Sequence, residues 1–173
     1  MAKSNTPDTL TVEALVNQTV DYMRKWSQAE IETMINNAAR TQQMPIIARI
    51  GKNGFIVGNY AVQFENDRWW KLSNRFSDTV YVFTSKLSAV LYAIYRQTGK
   101  INQADKILAE DEEVSRLTTK TEQYYFRYKQ AQKKKNLHNV DLFFVRYQET
   151  SRKLNASRSL LEKTLKSAKY IKS

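Results

Sequence analysis

The sequence predicts an α+β fold: two N-terminal helices, a three- to four-stranded antiparallel meander covered by a helix, and a long antiparallel helical hairpin. Two observations carry this. Apolar residues recur at helical spacing early in the chain, give way to short β-branched runs between residues 45 and 83, and return to helical spacing afterwards. Turn chemistry is concentrated in the middle, where Gly51, Gly54 and Gly58 fall, and is nearly absent after Ile101.

Residues 1–8 are polar and read as a flexible tail. Val12, Leu15, Val16, Val20 and Met23 share one face at helical spacing and predict a helix over 11–25. Ser27 and Glu30 have the spacing of a capping box, which opens a second helix carrying Ile31, Met34, Ile35 and Ala38 and ending before Pro45. Residues 45–50 then read as a strand, followed by a turn at Lys52-Asn53-Gly54. A second strand is expected over 55–65, with Gly58 as a bulge. Asn66-Asp67 makes the next turn, and strands follow over 68–73 and 79–83. Thr84 or Ser85 caps a helix whose apolar face is Leu87, Val90, Leu91, Ile94 and Tyr95, and Gly99 ends it. A meander has one apolar face to bury, and this helix is its natural cover.

Beyond Ile101 the spacing becomes heptad-like. Ile107, Val114, Thr121 and Tyr128 form one row, with Leu117, Tyr124 and Ala131 as companions and Glu110 as a polar exception. Val140, Tyr147, Leu154, Leu161 and Ala168 form another, with Phe144, Ser151, Arg158 and Leu165 beside them. The polar stretch 133–139 separates the two rows, so helices are expected over 101–134 and 140–171, folded back on each other. The domain plan is a tail (1–8), an α+β core domain (9–100) and a basic, coiled-coil-like hairpin (101–173).

Charge divides the chain more sharply than any turn. Residues 1–113 hold 13 Lys and Arg against 13 Asp and Glu, whereas residues 114–173 hold 15 against 4. The whole excess of +11 therefore lies in the last third. A neutral body with a basic extension implies an acidic partner: nucleic acid, an acidic protein surface or an anionic membrane. Folding the hairpin would bring the acidic run 110–113 opposite Lys163, Lys166 and Lys169, leaving bare positive charge toward the tip.

Catalytic signals are missing. The chain has one histidine, His138, and no cysteine, so thiolate metal sites and disulfides are excluded and no metal is expected. No glycine-rich loop suits a phosphate, and no nucleophile has a partnering base. A non-enzymatic protein without a cofactor is the expectation. No apolar run approaches the length of a membrane span, and the N-terminus lacks a signal-peptide core, which favours the cytoplasm.

The candidate site is the hairpin tip. Arg127, Lys129, Lys133, Lys134, Lys135 and Arg146, with Arg152 and Lys153 further down, are expected to bind nucleic-acid phosphates. Tyr125 could stack on bases. Trp69 and Trp70 are adjacent in a strand, so one faces the core and the other becomes a candidate contact.

The stretches Ile56-Val57-Gly58-Asn59-Tyr60-Ala61-Val62, Trp69-Trp70, Phe83-Thr84-Ser85-Lys86-Leu87-Ser88-Ala89 and Ser167-Ala168-Lys169-Tyr170-Ile171 carry a resemblance. Over roughly residues 45–173 the chain resembles small basic proteins of large tailed phages of marine bacteria. That resemblance implies an infected bacterial cell, hence host cytoplasm, and no activity. The helix–strands–helix order at 28–98 is also similar to a double-stranded-RNA-binding domain. However, the basic cluster of that family is reduced here to Lys86 and its proline-histidine loop is absent.

The sequence therefore predicts an accessory protein that binds DNA or RNA non-specifically through a basic hairpin. The alternative is a structural, assembly or host-protein-binding protein that oligomerises with itself or docks through its long helices.

Overall fold

The computed structural model describes residues 54–171, together with three short strands that precede them. In chain order these strands are β1 (Thr9–Thr11), β2 (Val20–Asp21) and β3 (Ile47–Arg49). The sheet continues through β4 (Gly54–Val57), β5 (Tyr60–Glu65), β6 (Trp69–Asn74) and β7 (Val80–Phe83). Helix α1 (Lys86–Thr98), helix α2 (Ala104–Lys133), helix α3 (Leu137–Ser167) and strand β8 (Lys169–Ile171) complete it. The fold is α+β: β2 to β7 form one sheet in chain order, whose β4 to β7 make a four-stranded antiparallel meander extended by β3 and β2, β1 pairs with β8 in a separate sheet, and the helices are long.

Two compact units divide the chain. One comprises residues 1–108 and 164–173, the other residues 109–163.

In the first unit the meander's register puts Phe55, Val62, Leu72 and Tyr81 in one row across the strands. Phe64, Trp70 and Phe83 form the next row on the same face. Side chains alternate along a strand, so these residues share the face that α1 covers. Tyr92 of α1 packs its ring 5.1 Å from Tyr81 and 5.6 Å from Phe83. Val57, Val62, Leu72 and Phe83, with Leu91 and Ile94 from α1, are wholly or almost wholly buried. Burial pushes the Tyr92 hydroxyl up to about 12, and neighbouring Tyr81 adds to the effect.

Helix α1 forms where the sequence places it. The Ser85 side chain accepts a hydrogen bond from the Ser88 amide at 3.2 Å. Gly99 ends it in the left-handed region at φ 67°, its amide donating to the Tyr95 carbonyl at 2.6 Å.

Several expectations need correction. Gly58 is no bulge: Gly58-Asn59 is a two-residue turn that splits the expected strand 55–65 into β4 and β5, with Val57 opposite Tyr60. Gly58 has φ 58°, and a Cβ there would collide with the Gln97 side chain. The Gln97 Oε1 atom accepts from the Asn59 amide at 2.9 Å, which closes α1 onto this turn.

The expected helix over 11–25 is overturned at Thr11 and at Val20–Asp21. Thr11 belongs to β1 and the latter pair is β2, aligned parallel to Ala48 and Arg49 of β3. Backbone pairing with distant strands outweighs the local helical period there. The rest of that segment, the second expected helix, the tail 1–8 and the turn at Lys52-Asn53 lie outside the described residues. The C-terminal helix stops at Ser167, earlier than expected, because Lys169–Ile171 pairs antiparallel with Thr9–Thr11.

The ends of α2 and α3 are tied to each other within this first unit. The Lys169 amide donates to Asn102 Oδ1 at 2.7 Å, and the Asn102 amide donates to the Lys169 carbonyl at 3.2 Å. Gln103 Nε2 donates to Ser167 Oγ at 3.0 Å.

Candidate nucleic-acid interface

The second unit is a hairpin of two helices. Alpha2 ends at Lys133, Lys135 takes φ 54°, and the Asn136 side chain accepts from the Asn139 amide at 3.2 Å to cap α3. Ring contacts fix the pairing: Tyr125 lies 5.3 Å from Tyr147, and Tyr128 lies 5.3 Å from Phe144. Three residues forward on α2 are answered by three residues back on α3, so the helices run antiparallel.

Burial identifies the seam. On α2 it runs through Val114, Leu117, Thr121 and Ala131, with Asp111 at its lower end. On α3 it runs through Thr150, Leu154 and Leu161, with Phe143 and Tyr147 half-buried toward the tip. The companion row on α3 is thus offset by one residue from the expected one. Thr150 is buried, whereas Phe144 is 39% exposed and Arg158 points to solvent. Thr150 satisfies its hydroxyl by donating to the Arg146 carbonyl.

The acidic run contributes one residue to the seam. Asp111 takes the seam position assigned to Glu110 and is only 1% exposed. Glu113 pairs along its own helix with Arg116 at 2.6 Å, a hydrogen bond that holds its carboxyl below the usual range. The ring pairings set Asp111 level with Leu161.

The candidate cations are all on the surface. Arg127, Lys129, Lys133, Lys134, Lys135, Arg146, Arg152 and Lys153 are exposed. Six of them lie between Tyr124 and Tyr147, a stretch that holds one acid, Asp141. Lys129 Nζ sits 5.5 Å from the Tyr125 ring centre and 5.6 Å from that of Tyr128. Arg127 lies over Phe143 at 5.9 Å. The aromatic rings thereby hold two cationic heads near the tip while leaving them open to solvent.

The candidate aromatics separate. Tyr125 is in the hairpin and 44% exposed. Trp69 and Trp70 belong to the other compact unit. Trp70 faces the covered side of the sheet, its ring 5.0 Å from Phe64 and 6.2 Å from Phe55. Trp69 takes the opposite face, with the Arg68 guanidinium 4.8 Å above its ring and the Lys71–Glu65 ion pair, at 3.7 Å, on the same face.

Residue-type reasoning passed over the apolar surface of the hairpin. Phe126 is 62% exposed, and Leu137, Leu142, Val145 and Leu160 are exposed too. Their signal was helical phase: Phe126 lies between seam residues Tyr124 and Tyr128, on the far side of the turn from both.

Among the described residues no group of three acidic or histidine side chains could hold a metal ion, and no helix is long and apolar enough to cross a membrane. In comparisons with known proteins no family model matches this chain, and no curated protein or solved structure matches it significantly.

Proposed function

We propose that the protein is a non-enzymatic accessory factor that binds nucleic acid without sequence preference through the tip of its α2–α3 hairpin. The observation that carries this is the unbalanced charge there: six exposed cations between Tyr124 and Tyr147 against a single acid. Solvation alone normally comes with acids interspersed. Phosphate attraction by counterion release needs density of charge and little fixed geometry, and the tip supplies that. No known base-reading motif accompanies it, so the contact is to the backbone. The phage-protein resemblance would set this activity in an infected bacterial cell.

The test is a fluorescence-anisotropy titration with DNA and RNA at low and high salt. Wild type should bind at micromolar concentrations or tighter in low salt. A variant with Arg127, Lys133, Lys134 and Lys135 changed to Gln should bind far more weakly. Absence of binding in low salt would sink the proposal.

A second reading has its own support. Leu142 and Val145, three residues apart on α3, are 41% and 50% exposed. Such a patch suits docking onto another protein or a second copy. In that case complex formation should survive high salt.

A further inference from the structure

We infer that the hairpin tip favours unpaired nucleic acid over duplex, with Phe126 and Tyr125 as a platform on which bases stack beside the cations. This rests on the phosphate-binding role proposed above and names the substrate class of the same surface.

A surface that grips only phosphates gains nothing from exposed aromatic rings. Single exposed apolar residues are ordinary on proteins, so exposure alone would mean little. Their placement is what matters. Phe126, Lys129 and Lys133 stand at i, i+3 and i+7 on α2 and therefore share one side of that helix. Phe126, at 62% exposed, makes no ring contact with another described aromatic residue. Tyr125 is one position nearer the seam: its ring rests against Tyr147 at 5.3 Å, yet it remains 44% exposed. One ring is thus anchored and the next is open, with Lys129 over the anchored one. Seven residues of helix span about 10 Å, so the rings and Lys133 lie within a few nucleotides of each other. An unpaired strand can offer a base face to the rings and its phosphates to Lys129, Lys133 and Lys134. In a duplex the base faces are already stacked on one another, and only the phosphates remain available.

The test compares the full-length chain on a single-stranded oligonucleotide, its duplex, and an abasic strand of equal charge. Wild type should bind the single strand tightest. Phe126→Ala should lose about tenfold on the single strand and leave duplex and abasic binding unchanged, while Phe126→Trp should retain the preference. Because Phe126 is mostly exposed, an unchanged Tm should accompany the alanine variant. Equal binding to single strand, duplex and abasic strand, or an alanine effect of the same size on all three, would overturn the stacking role and leave phosphate binding intact. No binding to any of them in low salt would overturn both.

Discussion

The sheet unit and the hairpin differ in what they bury. In the first, Val57, Leu72, Phe83, Leu91 and Ile94 are sealed between the meander and α1. In the hairpin, Asp111, Thr121 and Thr150 occupy buried seam positions while Phe126, Leu137 and Val145 face solvent. Charge follows the same division, since the chain is neutral through residue 113 and +11 beyond it. Stability explains the sealed layer between the meander and α1, although Phe76, Val80 and Val82 of the same unit remain exposed. The hairpin pattern is poorly explained by stability, because a two-helix seam gains from apolar residues inside and balanced charge outside. We read the hairpin surface as built for contact.

The sharpest way to break the comparison is to cut into each region. Phe83→Ala removes a fully buried ring beneath Tyr92. It should cost about 3–5 kcal/mol in chemical denaturation. The four-residue tip variant should shift stability by no more than about 0.5 kcal/mol while weakening nucleic-acid binding. If both variants destabilised the protein alike, the tip would be structural.

A smaller effect probes the seam. Thr121 is 8% exposed, and its Oγ1 has no hydrogen-bond partner among the described residues. Thr121→Val keeps the shape and removes an unsatisfied buried hydroxyl, so it should raise stability by about 1 kcal/mol. A loss instead would mean that a partner chain satisfies this hydroxyl, which would favour the assembly reading.

The smallest effect is invisible at neutral pH. Tyr92 has its hydroxyl pushed up to about 12 from an ordinary value near 10. The folded state therefore holds this proton more tightly than the unfolded chain. Its contribution is complete below about pH 10 and is lost as pH rises toward 12. Stability measured across that window should fall in wild type and fall less in Tyr92→Phe. Identical curves would mean that burial at this position does not perturb the phenol.

What the sequence disclosed follows the range of the signal. Ser85 and Gly99 mark α1 because capping is settled within four residues. Asn66 and Asp67, at φ 55° and 53°, mark their turn for the same reason. The fold-back at 134–136 shows as a polar gap between heptad rows. Pairings across long separations left no local trace. Thr9–Thr11 meets Lys169–Ile171 from the far end of the chain, and Val20–Asp21 aligns with β3 across an intervening segment. Gly58-Asn59 reads as a bulge in the sequence because alternation runs on through the turn. The α3 companion row slipped by one because residues three and four from Tyr147 fit a heptad equally well. At the candidate site, residue type names the cations, and the structure adds that they are exposed. The exposure of Phe126 depends on which side of α2 it occupies.

The most direct test of phosphate binding at the tip is the salt slope of affinity for a DNA duplex. Each cation that neutralises a phosphate contributes roughly 0.9 to the slope of log affinity against log salt. Removing Arg127, Lys133, Lys134 and Lys135 should therefore make the slope shallower by about 3 to 4. An unchanged slope in the variant, or no binding by wild type in low salt, would contradict the assignment.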